Sequence, residues 1–491
     1  MDTALASINK ALQAPIPEAV RKAFTSPSGP TTGLAEYNLE QGARLIYPID
    51  TPLRNMIPRE VGQAGTQANW RAITAVNPNG ENIGLSEGNR GGYNSYTEAD
   101  RFAKFVEFGL DDYVTWKAER ASGGFQNLDE LSVQMLLQAT MEAEEKVILG
   151  GLGTVLLGTT PTPTVVPSAS GGTLLAQSGL VTCVALTHRG SLYSTVAAGV
   201  KIPYTRTNAD GSQDIIQGFS AAPSASVAGT TTGAGTSSLT ASVAVVPGAF
   251  AYAWYYGVAG SQILTAITGI NSVSITAAAS GTQNLTALPT TDKSNDPLMF
   301  DGLIGQMLMS GSGSYIASQA TGTPGTGNKL TSTGSGTGGI LEFDNAILSF
   351  FTNYRMIPTD IWISGLDQKA VKALILNGNT NAAVFFQGSD NEIKAGARVK
   401  TYTNPIGYGN PDLNLRVHPF LPQGTVMFTT AKVPYALSNV STIMKMNMRR
   451  DYYSILWPLR SRKYEYGVYA DGVLQHYFPP ALGMIQNIAP G

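Results

Sequence analysis

The feature that most constrains this chain is a long block without charge. From Ile215 to Thr291 there is no Asp, Glu, Lys or Arg, and Ser, Thr, Ala and Gly separate short β-branched runs such as Ser272 to Thr276. Short strands divided by Gly, Pro and Ser turns read as an all-β sandwich, with Trp254 in AYAWYY placed like a core tryptophan. Low-complexity disorder is the alternative, and Thr230 to Ser238 (TTTGAGTSS) reads as a mobile loop. The aromatic cluster from Phe250 to Tyr256 argues against disorder of the whole block. Val243 to Gly260 is uncharged as well, but Pro247, the glycines and the alternation of Phe250, Tyr252, Trp254 and Tyr256 favour a strand over a membrane span.

The arm, loop and helix segments that precede this block are ordinarily charged. Lys plus Arg number 32 and Asp plus Glu 34, a formal charge of -2, and charged residues make up 13% of the sequence where about 25% is usual. A chain so weakly and evenly charged is not built to wrap nucleic acid or to stay unfolded in solution. Its 491 residues imply about three compact units.

The inventory of reactive side chains is sparse. Cys183 is the one cysteine, which excludes intrachain disulfides and zinc sites built on two thiolates, and fits a reducing cytoplasm. His188, His418 and His476 lie far apart, without the spacing that puts two imidazoles on one metal, so each reads as a satisfied structural or surface residue. There is no phosphate-binding GxxxxGK[ST] loop, no GxGxxG between a strand and a helix, and no nucleophile elbow. No enzyme, cofactor or metal site is expected.

Met1 to Phe24 lacks a basic stretch and an unbroken apolar run, so it does not read as a secretion signal. Leu5, Ile8 and Leu12 fit a short amphipathic helix ended near Pro15. Thr31 to Arg59, with Pro48, Pro52 and Pro58, reads as an extended arm. Thr66 to Val76 and Phe102 to Trp116 read as two strands of a long excursion, with a turn at Asn77 to Gly80 and a polar tip from Gly84 to Gly92. Such a ribbon has little of its own subunit beneath it, and isolated hairpins are marginal in water, so a neighbouring subunit is its simplest resting place.

A helix follows, capped by Asn127, with Asp129 and Glu130 in its first turn and Gly150-Gly151 at its end. Leu128, Leu131, Met135 and Ala139 form one stripe, and Val133, Leu137, Met141 and Glu144 another on the far side, which predicts a helix held between layers. Past Asp296 the pattern is α/β. Helices are expected at Asp301 to Met309, Leu341 to Tyr354 and around Leu366, Ala370 and Leu374 (closed by Gly378), with a strand at Ile361 to Ile363 and a Gly/Ser/Thr loop from Ser310 to Gly339. The end is β: Thr425 to Thr430, Met448 to Leu456, and a hairpin turning at Asp471-Gly472.

Three segments resemble, in order, parts of the major capsid protein of tailed bacteriophages, the Hong Kong 97-type fold also used by encapsulins. RASGGFQNLDELSVQMLLQATMEAEEKVILGG (Arg120 to Gly151) is similar to the family's spine helix, PLMFDGLIGQM (Pro297 to Met307) to the segment opening its axial domain, and PTDIWISGLDQKAVKALI (Pro358 to Ile375) to its axial strand and helix. The resemblance implies an α+β fold with an amino-terminal arm at 1–60, an extended loop at 61–116, the spine helix of the peripheral domain at 117–158, an axial domain at 292–430 and returning peripheral strands at 431–491. The uncharged block is then an inserted immunoglobulin-like sandwich at 159–291.

The implied function is a virion shell: pentamers and hexamers forming an icosahedral head around double-stranded DNA, assembled in the host cytoplasm without a membrane. Portal and decoration proteins are implied partners. The arm begins close to Met1, so any scaffolding is expected from a separate protein. Trp70, Phe105, Phe108 and Lys104 are the loop residues expected at subunit contacts, with intrasubunit packing the other reading of Phe105 and Phe108. Some relatives join subunits by a Lys–Asn isopeptide; Lys104 with Asn377, Asn379 or Asn381 would be the candidates, and a solvated strand lysine is the reading preferred. Lys445, Arg449, Arg450, Arg460, Arg462 and Lys463 make the carboxy-terminal strands the most basic region, facing either the genome or, the preferred reading, a subunit junction. The competing functions are an encapsulin-like compartment and a bacterial surface or adhesion protein.

Overall fold

The computed structural model describes residues 46–490, apart from 77–82, 124–125, 209, 335–338, 378–385, 388–392, 395–398, 410–411, 434 and 436–437. The helix expected around Leu5, Ile8 and Leu12, the turn at Asn77 to Gly80 and the Gly378 cap lie outside these residues.

The arm does not stay extended. α1 (Pro52–Met56) opens with proline, where the missing N–H costs nothing and the fixed φ suits a helix, and it buries Leu53 and then Ile57. β1 (Arg59–Val61) follows, parallel to residues 446–448. β2 (Gln67–Val76) and β3 (Tyr96–Lys104) form the antiparallel ribbon, with Gln67 opposite Lys104 and Val76 opposite Tyr96. The single return strand expected from Phe102 to Trp116 is two strands. At Phe105 the chain leaves the ribbon, and β4 (Val106–Thr115) joins another sheet. The alternation of apolar residues runs through this break and hides it. α2 (Trp116–Ser122) is capped by the Thr115 hydroxyl, which accepts the Ala118 N–H.

α3 (Leu128–Gly150) begins as expected, with the Asn127 side chain accepting the Glu130 N–H. Its packing differs from the two-stripe expectation. The fully buried seam is Ser132, Leu136, Thr140, Glu144, Glu145 and Ile148, while Val133, Leu137 and Met141 are only half-buried and Ala139 is exposed. Polar groups hold the seam: the Thr140 hydroxyl donates to the Leu136 carbonyl at 2.8 Å and Ser132 to the Asp112 carboxylate at 2.6 Å. An apolar periodicity cannot find such a face.

Residues 159–291, which contain the uncharged block, fold as two packed sheets. β5 (Thr164–Ser168), β6 (Leu180–Leu186), α4 (His188–Tyr193), β7 (Tyr204–Thr207), β8 (Gln213–Ile216), β9 (Val227–Ala228), β10 (Ser238–Ser242), β11 (Ala251–Gly257), β12 (Ile263–Thr268) and β13 (Ser272–Ile275) follow in turn. One sheet runs β13-β10-β5, the other β12-β11-β6-β9, and β7 with β8 form a separate hairpin. Leaving that hairpin aside, this pairs the first strand with the fourth and the fourth with the seventh, whereas an immunoglobulin sandwich pairs the first with the second and the second with the fifth. The sandwich expected here is present; the immunoglobulin order is not. β11 is buried on both sides: Tyr252, Trp254 and Tyr256 point into the core between the sheets, and Ala251, Ala253 and Tyr255 into a second cluster with Leu186 and Leu264. A strand covered on both faces has no place for a charge, which accounts for AYAWYY.

The insertion enters and leaves the rest of the chain side by side. Gly158 N–H donates to Asp292 at 2.6 Å and Leu157 N–H to Ser294 at 2.8 Å, so its two ends meet.

α5 (Leu303–Leu308), β14 (Tyr315–Ser318), α6 (Leu341–Tyr354), β15 (Asp360–Ile363) and α7 (Gly365–Asn377) come next, then the short pair β16 (Phe386–Gln387) and β17 (Ile393–Lys394). With β18 (Thr401–Thr403), β19 (Asp412–Val417), β20 (Val426–Thr429) and β23 (Gly483–Gln486) they build a six-stranded sheet ordered β14-β23-β20-β15-β19-β18. Phe343, Ile347 and Phe350 of α6 cover it. β21 (Met444–Leu456) and β22 (Lys463–His476) pair with β1 and β4 in a four-stranded sheet.

β22 runs straight through Asp471-Gly472, so the hairpin expected there is absent; the turn lies between Leu456 and Lys463. The glycine serves close packing instead, since a Cβ on Gly472 would stand 2.3 Å from the Met448 sulfur. β23 returns to the six-stranded sheet, so residues 431–491 are not all peripheral strands.

Candidate assembly surfaces and the locks behind them

β2 and β3 stand away from the two cores except at their root. There Ala68, Ala103 and Phe105 pack against the core of the four-stranded sheet. Further out, Ile73 is 62% exposed, Val76 68%, Tyr96 63% and Phe102 66%, exposures that an isolated ribbon in water does not support. Arg71 bridges to Glu98 at 3.0 Å and Asp100 at 2.7 Å on the same ribbon, in full solvent, where such pairs contribute little.

Of the four loop residues singled out by sequence, two turn inward. Phe108 meets Phe300 edge to face at 6.1 Å, and Phe105 lies under the Arg449 guanidinium at 5.3 Å. Both belong to intrasubunit packing. Trp70 is half-buried on the ribbon, opposite Arg101. Lys104 is an exposed strand lysine opposite Gln67. Asn379 and Asn381 lie outside the described residues, as does the side chain of Asn377.

Three of the six basic residues are ion-paired within the chain. Lys445 pairs with Glu60, Arg449 with Asp471 at 2.5 Å, and Lys463 with Glu465 at 2.5 Å. Arg449 also donates to the Gly65 carbonyl at 3.1 Å, which fastens the root of the ribbon. Arg450 covers the Tyr453 ring at 3.9 Å. Arg462 accepts the Trp116 N–H on its carbonyl, and Arg460 sits in the exposed turn beside it. Lys445, Arg449 and Lys463 are thus ion-paired within the chain, while Arg450 and Arg462 are exposed.

Sequence reasoning missed the densest polar site. Glu144 and Glu145, adjacent on α3, have no exposed side-chain surface and face different parts of the chain. Glu144 holds the arm: Arg59 reaches it at 2.7 Å and Arg54 at 3.1 Å, and the Tyr452 hydroxyl donates to it. Arg59 also bridges to Asp451 at 2.6 Å. Burial opposes the charge on Arg59, but hydrogen bonding and attraction from Asp451 and Glu144 outweigh it and raise the guanidinium above its ordinary range. Burial likewise opposes the Asp451 carboxylate, and the Arg59 hydrogen bond overcomes it, lowering its pKa. Burial and Glu144 together push the Tyr452 phenol up. Glu145 accepts the Leu53 N–H at 2.9 Å, the Arg54 N–H at 2.7 Å and His418 at 2.7 Å. The signal was present in sequence as EAEE, two consecutive acids placed on what must be a buried turn, but apolar periodicity gives them no partner.

All three histidines are buried. His188 donates to the Phe420 carbonyl at 2.7 Å and burial lowers its pKa to about 4. His476 is lowered to about 3 by burial, with Arg101 adding repulsion. Among the described residues no cluster of His, Cys, Asp or Glu is placed to hold a metal ion, and no helix is long and apolar enough to cross a membrane.

No family model and no curated protein matches the chain. Among solved structures, 93% of it aligns with 98% of a chain in the Cyanophage A-1(L) capsid asymmetric unit, at 10% identity and a TM-score of 0.43. It aligns over 94% of its length with the whole of a chain in the capsid of Myoviridae phage XM1, at 7% identity and a TM-score of 0.41. The capsid of a native GTA particle gives 93% and 96% coverage, 7% identity and a TM-score of 0.40. The chain itself is α+β.

Proposed function

We propose that the chain is a structural shell subunit, the major capsid protein of a tailed double-stranded DNA phage, which self-assembles as pentamers and hexamers into an icosahedral head. The observation that carries this reading is the ribbon β2–β3, which, among the described residues, leaves Ile73, Val76, Tyr96 and Phe102 exposed. A neighbouring copy would bury these residues, and many such modest contacts add up by avidity. The buried locks around Glu144 and Glu145 suit a subunit that must stay rigid at its centre while its extensions reach neighbours. Internal pairing of Lys445, Arg449 and Lys463 favours a subunit-junction role for the basic strands over genome binding.

The test replaces Ile73, Val76, Tyr96 and Phe102 together by Thr. The variant should keep its circular dichroism and melting transition but form no shells. Normal shells from this variant would reject the ribbon as an assembly contact.

A further inference from the structure

A chain of buried and part-buried hydrogen bonds links the sandwich of residues 159–291 to the arm. It starts on α4, where His188 Nε2 meets the Phe420 carbonyl at 2.7 Å; a carbonyl only accepts, so the imidazole donates. The Phe420 N–H in turn donates to His418 Nδ1 at 3.1 Å. With Nδ1 accepting, the ring proton of neutral His418 sits on Nε2 and points at Glu145 Oε1, 2.7 Å away. The same carboxylate accepts the Leu53 and Arg54 N–H groups at the start of α1. The Lys146 ammonium lies 4.7 Å from the Phe420 ring centroid. Phe420 is thereby held by its N–H, its carbonyl and its ring, each from a different element.

We propose that this chain couples the two regions: displacing α4 of the sandwich releases α1 of the arm, and releasing the arm loosens α4. The physical basis is that His188, His418 and Glu145 are themselves buried, so a donor or acceptor on them that loses its partner has little water to replace it. Movement of His188 strips the Phe420 carbonyl, frees Phe420 to shift, and removes the N–H that orients His418 toward Glu145. The sandwich is also tied to the carboxy-terminal strand, through Gly248 to Gln486 at 3.0 Å and Asn271 to Asn487 at 2.8 Å, so it moves as a body and not as a loose appendage. A contact made on the sandwich by a neighbouring copy would then bias how firmly the arm is held.

The coupling is read by amide hydrogen exchange on the purified protein. His188→Phe keeps the ring volume beside Gly150 and removes the donor; exchange at Leu53 and Arg54 should rise about tenfold or more. Val273→Ala, which weakens the sandwich core away from the chain, should leave these two amides unchanged. Adding His418→Gln to His188→Phe should give no further rise, because one link already broken leaves nothing for the second to break. The reciprocal variant, Glu145→Gln, should speed exchange at Ser191 in α4. Unchanged Leu53 and Arg54 amides in His188→Phe, an equal rise in Val273→Ala, additive effects in the double variant, or an unmoved Ser191 amide in Glu145→Gln would each overturn the proposal.

Discussion

Gly150, the last residue of α3, lies so close to His188 that a Cβ added to it would stand 2.3 Å from the imidazole Nδ1. The glycine that ends the helix is therefore also the seat of α4, and the first element of the sandwich to meet α3 docks through it. Gly150→Ala gains about 1 kcal/mol of helix propensity but must displace a buried ring, which costs about 1–3 kcal/mol. The variant should be less stable than the native protein. In a His188→Gly background, which removes the ring and the Cβ that would stand 2.6 Å away, the same change should become stabilising, a reversal of sign that denaturant unfolding of the four proteins detects.

Glu144 is the anchor of the arm. Glu144→Gln leaves Arg59 and Arg54 facing a neutral group in a buried site, and the loss should be about 3 kcal/mol. The urea midpoint should fall, and trypsin should cut after Arg54 or Arg59 faster than in the native chain. Arg71→Ala, which removes the solvent-exposed pairs on the ribbon, should leave the midpoint where it is.

Acid should destabilise the subunit through its buried histidines. His188 and His476 have folded pKa values lowered to about 4 and about 3, below the value of about 6.5 for an unfolded histidine. The unfolded chain therefore binds protons first as pH falls. Stability is constant above about pH 7, declines from about pH 6.5 downward, and stops declining on account of His188 near pH 4 and of His476 near pH 3. For His188 the loss amounts to about 3 kcal/mol. Denaturant midpoints between pH 7.5 and 4.5 should show the decline, and a His476→Leu variant that still folds should show a shallower one.

The sandwich is tied into the subunit. Gln486 donates to the Val246 carbonyl at 3.1 Å and accepts the Gly248 N–H, and Asn487 accepts the Asn271 N–H. Deleting Thr159 to Thr291 with a short linker would strip these partners from β23 in the six-stranded sheet, and it would open the Phe420 loop that His188 holds. A peripheral decoration would tolerate the deletion; here the product should be insoluble or should melt well below the native protein.

What could be seen in advance follows from which forces leave a pattern. α3 and α6 were legible because their caps and apolar spacing are local: Asn127, the Gly150 stop, and the Phe343, Ile347, Phe350 stripe. The sandwich was legible because β11 is buried on both faces and so is continuous in apolar residues. The break at Phe105 was invisible because apolar alternation is shared by both strands it separates. Asp471-Gly472 misled because the pair usually makes a turn, and only the approach of Met448 reveals why a glycine is there. The Glu144 and Glu145 site was hidden for a deeper reason: its partners Arg54, Arg59, His418 and Tyr452 come from segments far apart in sequence, and nothing local marks them as companions. Phe105 and Phe108 illustrate the limit for surfaces, since an aromatic on a predicted strand looks the same whether it meets a neighbour or its own core.

The central claim is assembly, and electron microscopy of the purified protein in negative stain tests it most directly. The account predicts uniform closed shells with icosahedral outlines. A field of monomers or of fibres, under conditions where the protein is folded by circular dichroism, would contradict it.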